Sequence, residues 1–214
     1  MADSTYDAIN AAKAASPDAD LQANFTTANS DELEVSAEVV KNIADLNVPV
    51  AVKTQALEIE APAALLQTIG TTGKLKVSGS VTTDVSEDMK KYIGDDTIVV
   101  DVRISVNDSA LSDFGTNKIK VTLPYQLKAG ENANSIRVVC LSGTAPEYFD
   151  ATYDATTQTV SFYTSHCSLF AVVPIPASPS SDGGMDMMLI VGIVIAIAAV
   201  AGVAAYFLVI KKKA

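Results

Sequence analysis

The chain has 214 residues, enough for one or two ordinary domains, and its hydrophobic share of 49% is raised by an alanine-rich N-terminus and a long apolar run near the C-terminus. Its formal net charge is −10 at pH 7, and an acidic surface repels phosphate backbones, which argues against a nucleic-acid partner. The two cysteines and the single histidine show neither a CxxC pair nor a Cys/His ligand spacing, so the sequence predicts no structural zinc site and no cofactor.

The first thirty residues predict a short helix followed by a linker. Apolar side chains recur at helical spacing between Asp3 and Ala15, and Pro17 follows as a stop signal. We expect residues 1–30 to connect the body of the protein to a domain that precedes it. Two further short helices are predicted, at 37–45 and 62–69.

Residues 31–175 are dominated by short runs in which apolar and polar residues alternate, which is the period of a half-buried strand. Such runs lie at 48–52, 57–59, 75–77, 100–106, 119–123, 136–141, 148–153, 159–164 and 168–173. Many short strands separated by turn residues are typical of a β-sandwich. The sequence therefore predicts a mainly β fold, a β-sandwich of about nine short strands with a few short helices.

The C-terminal part predicts a membrane anchor. Residues 176–186 are rich in proline, serine and glycine and form a stalk that has no core of its own. Residues 187–210 carry no charged side chain, and as a helix they span about 36 Å, more than a hydrocarbon core of about 30 Å. The run predicts one transmembrane helix that binds the lipid bilayer, followed by the basic tail 211–214.

The charges beside the span predict its orientation. Three lysines at 211–213 follow it directly, whereas the other flank carries Asp182 and Asp186 and no basic residue. The positive-inside rule then places the C-terminus in the cytoplasm and the body outside the cell, as in a type I single-pass membrane protein. The rival is a tail-anchored protein with a cytoplasmic body, which requires the lysines to cross the membrane.

A body outside the cell must be exported. Residues 1–5 have neither the basic region nor the apolar region of a signal peptide. We therefore expect either that the chain is the C-terminal part of a longer secreted protein or that its signal has been removed.

Three minor sets of residues form candidate sites. Cys140 and Cys167 lie in apolar strand-like runs, so they are either buried small hydrophobes or, outside the cell, partners in a disulfide. Asn24 and Asn107 begin N-glycosylation sequons, which matter only for an exported body. A group of carboxylates either binds a cation or forms a solvated loop, and we expect the solvated loop. These carboxylates are Asp84, Glu87, Asp88, Asp95 and Asp96.

Three segments in the second half resemble a known kind of module. They read VTLPY at 121–125, YDATTQTVSF at 153–162 and TSHCSLFAVV at 164–173. In this order they resemble the C-terminal β-rich module of bacterial and archaeal cell-surface and S-layer-associated proteins, and the resemblance covers residues 31–175. It implies a secreted protein with a structural or adhesive role, whose partners are other envelope proteins or an extracellular ligand. The anchor with its lysine tail looks archaeal in style.

The triplet His166-Cys167-Ser168 also resembles the motif at which some self-cleaving domains break their own chain. That resemblance makes Ser168 the nucleophile, His166 the base and the bond between Cys167 and Ser168 the scissile bond. The motif has phenylalanine where this chain has cysteine. The alternative is that His166 and Ser168 close a strand corner by hydrogen bonds. We expect this structural role, and hence a non-enzymatic surface module anchored in the membrane.

Overall fold

Strands make up most of the structure, a computed structural model that describes residues 2–16, 21–69 and 73–174. The helices are α1 (Ala2–Ala15), α2 (Ala37–Asp45), α3 (Ala63–Ile69) and α4 (Glu87–Lys90), with a 3-10 turn at Ala133–Ser135. The strands are β1 (Ala23–Thr26), β2 (Glu32–Val35), β3 (Val50–Lys53), β4 (Glu58–Ala61), β5 (Leu75–Thr82), β6 (Val99–Val106), β7 (Ser109–Ala110), β8 (Ile119–Pro124), β9 (Ile136–Cys140), β10 (Glu147–Asp154), β11 (Thr159–Thr164) and β12 (Leu169–Pro174).

The prediction of a mainly β fold with a few short helices is confirmed. Each alternating run in the sequence corresponds to one strand, from β3 to β6 and from β8 to β12. Strands β1 and β2, of four residues each, and β7, of two, lie outside the predicted runs. The predicted helices correspond to α1, α2 and α3.

The twelve strands form one sheet, in the order β1-β3-β4-β8-β11-β10-β9-β12-β6-β5-β2, with β7 beside β6. Only β1 and β3 pair in parallel among the described strands, and the other pairs are antiparallel. Near the two ends of this order, the backbone carbonyl of Ser30 accepts a hydrogen bond from the Gln55 N–H, and that of Asp31 accepts one from the Gly79 N–H. The sheet is therefore nearly closed, like a barrel.

Strand β10 belongs to both parts of the sheet. Its first residues, 147–150, pair with β9, whereas residues 151–154 pair with β11. We name β1, β3, β4, β8 and β11 the first half-sheet. The second half-sheet consists of β9, β12, β6, β5 and β2, with β7 beside β6. Through β10, backbone pairing therefore continues from one half-sheet to the other.

The hydrophobic core lies between the half-sheets. Phe162 on β11 and Phe170 on β12 are fully buried, and their ring centroids lie 4.9 Å apart in an edge-to-face arrangement. Such pairs stabilise a core beyond the area that they bury. Phe149 on β10 lies beside both rings, with centroids 5.7 and 5.8 Å away. This aromatic group marks the end of the core nearest to the shared strand.

Helices α2 and α3 pack against this core, whereas α4 belongs to a second hydrophobic cluster with β6, β9 and β12. Helix α2 buries Val39, Val40 and Ile43 in the core, and α3 adds Leu65 and Leu66. Ile43 lies three and four positions after Val40 and Val39, and Leu65 and Leu66 are adjacent, so each set falls within one apolar stripe about 100° wide on its helix.

The segment ahead of residue 31 belongs to the same compact unit. Ile9 of α1 is buried in the core, and the Lys13 ammonium donates a hydrogen bond to the Leu46 carbonyl. Strand β1 extends the first half-sheet. Residues that the sequence pattern assigned to a linker therefore supply a strand and a packed helix.

No helix within residues 2–16, 21–69 and 73–174 is long and apolar enough to cross a membrane. The predicted stalk at 176–186, the span at 187–210 and the tail at 211–214 lie outside the described residues.

Candidate functional site

Four polar side chains meet at one end of the second half-sheet. They are Cys140, Glu147, His166 and Ser168, and we name them the Cys140 cluster. Cys140 ends β9 and lies directly opposite Glu147, the first residue of β10. His166 and Ser168 belong to the turn between β11 and β12. Because opposite residues on neighbouring strands point to the same face, the fold brings side chains together that are distant in sequence.

Cys140 is the buried member of the cluster. It is 3% exposed, because β10 flanks it on one side and Phe170 of β12 lies opposite it on the other. Its Sγ lies 3.0 Å from Ser168 Oγ, and either group can donate the hydrogen bond between them. The Ser168 hydroxyl therefore contacts the thiol from the turn.

The backbone around His166 is fixed by the side chain of Thr164. The Thr164 hydroxyl donates a hydrogen bond to the His166 carbonyl at 3.0 Å and accepts one from the His166 N–H at 3.2 Å. Thr164 is itself 1% exposed, so it holds the turn against the core. His166 also forms an isolated antiparallel β-bridge with Asp113, which supports the turn further.

The His166 ring is oriented by aromatic neighbours and by a carboxylate. It stacks on Phe170 at a centroid distance of 5.9 Å and lies 5.9 Å from the Phe149 ring. Its Nε2 lies 3.2 Å from Glu147 Oε2, with 29% of the His166 side chain and 59% of the Glu147 side chain exposed. The imidazole and the carboxylate thus lie between the buried thiol and the solvent.

Three side chains of the cluster have metal-ligating atoms close to one another. The Cys140 Sγ, a Glu147 carboxylate oxygen and a His166 ring nitrogen all lie within 4.8 Å of one another. Thiolate, imidazole and carboxylate are the three ligand types that proteins use for zinc. The sequence predicted no such group, because its ligands come from three separate strands and turns and not from a local motif.

Glu147 is the residue of this group that sequence reasoning missed. It follows Ala145 and Pro146 at the start of an exposed strand, where a glutamate is unremarkable. The signal that identifies it is its register position opposite Cys140, which depends on the length of the turn between β9 and β10.

The structure places the predicted self-cleavage residues in an ordinary hydrogen-bonded turn. The Cys167 N–H donates to the Ser112 carbonyl, and the Ser168 carbonyl accepts from Val102. In the described chain, non-glycine residues with positive φ are Asn47, Asn107, Asp108 and Gln158. The His166 imidazole has its polar contact with Glu147, and the Ser168 hydroxyl has its polar contact with Cys140. Cleavage at this bond stays an untested alternative to the structural role that we expect.

The two cysteines are free thiols with different surroundings. Cys140 contacts Ser168, whereas Cys167 packs at the edge of the core beside the second half-sheet. Burial raises the pKa of the Cys167 thiol from 9.0 to about 12. Cys167 is therefore a protonated, weakly reactive thiol at neutral pH. A disulfide between the two in the oxidised protein stays a prediction.

Both sequon asparagines are exposed. Asn24 lies on β1, and its side-chain amide donates to the Gln22 carbonyl at 3.3 Å. Asn107 lies in the turn between β6 and β7 with φ +49, and its side chain accepts a hydrogen bond from the Lys74 N–H at 3.1 Å. Their glycosylation stays a prediction.

The carboxylates that cluster in sequence between residues 84 and 96 are partly paired with lysines. Asp96 lies 2.6 Å from Lys128, and Glu87 lies 2.6 Å from Lys90. The hydrogen bond and the charge of Lys128 lower the pKa of Asp96. The described segment thus has the ion pairs of a solvated surface.

No protein-family model, curated protein or solved structure matches the chain.

Proposed function

We propose that the chain is a cell-surface module, with a mainly β body of the sandwich type that a single transmembrane helix displays outside the cell. Its role is structural or adhesive rather than enzymatic. Its partners are the lipid bilayer and either other envelope proteins or an extracellular ligand.

One observation supports this proposal above the others: the uncharged run at 187–210 separates an acidic flank from a cluster of three lysines. A run of this length suits a bilayer, and lysines next to a span stay on the cytoplasmic side. Strand β12 ends at Pro174, so only the stalk separates the last strand of the body from the span.

The surface of the body supports a location in water. Its ion pairs lie at the surface, for example between Lys41 and Asp45 and between Lys74 and Glu34. In the described part of the chain, the exposed large hydrophobic residues are Val81, Ile98, Tyr148 and Tyr163. Single exposed apolar residues of this kind are normal for a protein in water.

Two epitope tags test the topology in intact cells. One tag is placed between Ala129 and Gly130, in an exposed turn, and the other after Ala214. We expect an antibody to reach the first tag on intact cells and the second only after the membrane is permeabilised. A protease added to intact cells then removes the first tag and spares the second.

A charge variant is the matched control. Changing Lys211, Lys212 and Lys213 to glutamate removes the orientation signal and keeps the length of the span. We expect a mixed orientation, in which part of the second tag becomes accessible outside. The opposite result for the unaltered chain, with the first tag protected until permeabilisation, shows a cytoplasmic body and refutes the proposal.

A further inference from the structure

The Cys140 cluster has the donor atoms of a metal site, and two of its three donor side chains reach the solvent. A thiol lies at its base, 3% exposed, while a carboxylate and an imidazole lie above it at the surface. A buried thiolate in this position needs a positive partner to offset the cost of removing its charge from water. A divalent cation between the three side chains supplies that charge.

The distances suit a small ion. Ligands arranged tetrahedrally around zinc, with bonds of about 2.0–2.3 Å, lie about 3.3–3.7 Å apart. His166 Nε2 and Glu147 Oε2 are already 3.2 Å apart, and the Cys140 Sγ is within 4.8 Å of both groups. A rotation of the exposed Glu147 side chain and a small shift of the His166 ring close the remaining gap of about 1 Å.

The surroundings prepare the ligands for binding. The Ser168 hydroxyl, 3.0 Å from Cys140 Sγ, can donate its proton to a thiolate. Phe149 and Phe170 hold the plane of the His166 ring, and Thr164 fixes its backbone. Neighbours that fix the orientation of a ligand raise the affinity of metal sites.

We propose that the Cys140 cluster binds one zinc-class divalent ion through Cys140 Sγ, a Glu147 carboxylate oxygen and a His166 ring nitrogen. The fourth position is open to solvent. Binding breaks the S–H bond of Cys140, forms a sulfur–metal bond and releases one proton to the solvent. Three protein ligands and a free position are typical of zinc sites that also bind a small molecule.

Cobalt(II) is the probe that tests this site. The full-length chain is purified in detergent without a histidine tag, kept reduced and freed of metal. We expect one cobalt per chain, with a thiolate-to-cobalt charge-transfer band in the near ultraviolet and the intense visible bands of tetrahedral cobalt. Zinc added afterwards should displace the cobalt and abolish both signals.

Single substitutions identify the ligands, and each has a matched control. Cys140→Ser should abolish the charge-transfer band, whereas Cys167→Ser, which removes the other thiol, should leave it unchanged. Glu147→Gln should weaken cobalt binding at least tenfold, because changing even a neighbour that only orients a ligand costs about 10–100-fold in affinity. Asp150→Asn, a change to another exposed carboxylate on β10, should leave the affinity unchanged.

His166 gives an independent measurement, because it is the only histidine in the chain. In spectra of the nitrogen-labelled chain, zinc should shift one imidazole nitrogen to the position of a metal-bound nitrogen. This measurement needs no substitution, so it decides the question even if Cys140→Ser fails to fold. His166→Gln should weaken cobalt binding at least tenfold.

Three results overturn the proposal. The first is a wild-type chain that gives no thiolate band and no imidazole shift at saturating metal. The second is a band that survives in a folded Cys140→Ser variant or disappears in Cys167→Ser. The third is an unchanged affinity in both Glu147→Gln and His166→Gln.

Discussion

At the scale of single residues, the two thiols show how burial and contacts divide roles between identical side chains. Cys140 lies beside a hydroxyl and two ionisable groups, whereas Cys167 packs against the core, and burial is the main influence on its thiol. The sequence places both in apolar strand-like runs and does not distinguish them. The difference arises because they lie on different strands and turns, with different neighbours.

The raised pKa of Cys167 predicts a loss of stability in alkali. The folded chain keeps this thiol protonated up to about pH 12, whereas the unfolded chain ionises it from about pH 9. Ionisation therefore favours the unfolded state as pH rises through this window, and the contribution is fully present below pH 9. We expect the urea midpoint of the wild type to fall more steeply above pH 9 than that of Cys167→Ala.

The comparison with Cys167→Ala isolates the thiol, because tyrosines and lysines titrate in both proteins. Urea unfolding followed by circular dichroism, between about pH 8 and about pH 11, gives the two curves. Parallel curves over the whole range contradict the prediction.

At the scale of elements, the sequence identifies a strand where its two faces have different surroundings. Strands β6 and β8 alternate buried and less buried residues, and their sequences alternate likewise. Strand β2 alternates likewise over its four residues, Glu32–Val35, so the pattern is present in the sequence although the strand was not among the predicted runs. The order of the strands was not predictable, because pairing depends on contacts between residues far apart in sequence.

Cross-strand pairs on the outer face of the sheet predict a measurable coupling between β4 and β8. Glu60 lies directly opposite Lys120, with 2.6 Å between the carboxylate and the ammonium. About a third of each side chain is exposed, so water screens the pair and the expected coupling is about 0.5–1 kcal/mol. A double-mutant cycle with Glu60→Gln and Lys120→Met, followed by urea unfolding, measures it.

The more exposed pair between Glu87 and Lys90 on α4 is the control for this cycle. Its members lie one helical turn apart, where pairs contribute about 0.2–0.5 kcal/mol. We expect a smaller coupling there, and both couplings should weaken in salt. Equal couplings at the two sites contradict the argument from exposure.

At the scale of the whole molecule, the fold depends on how closely the half-sheets approach. Gly79 on β5 faces Leu57, the residue before β4, and Leu57 is 2% exposed. A Cβ on Gly79 lies 2.5 Å from Leu57 Cγ and even closer to Leu57 Cδ2, which is far inside van der Waals contact. Glycine at this position lets the half-sheets meet.

Gly79→Ala should therefore destabilise the protein by about 1–3 kcal/mol, the usual cost of overpacking a core. Leu57→Ala should destabilise a chain that already carries Gly79→Ala less than it destabilises the wild type, because the added methyl fills part of the space that Leu57 leaves. Gly94→Ala is the control, since its nearest contact is 3.3 Å to an exposed Asp96 oxygen. If the losses in the free energy of unfolding for Gly79→Ala and Leu57→Ala simply add in the double variant, as measured in urea, the two positions are not in direct contact.

The candidate site, too, could be predicted from the sequence only in part. His166 and Cys140 could be singled out from the sequence because both residue types are rare in this chain. Their meeting with Glu147 depends on the register of β9 with β10 and of β9 with β12, which is a property of the assembled sheet. No local pattern in the sequence contains that information.

The position of β12 in the sheet determines how the body responds to tension. This last strand lies between β9 and β6 and not at an edge, and it pairs with β9 as far as Pro174. A pull on the chain beyond Pro174 acts along the strand and loads the hydrogen bonds on both sides at once. Bonds loaded in shear must break together, whereas an edge strand peels off one bond at a time. A body tethered through this strand resists mechanical unfolding.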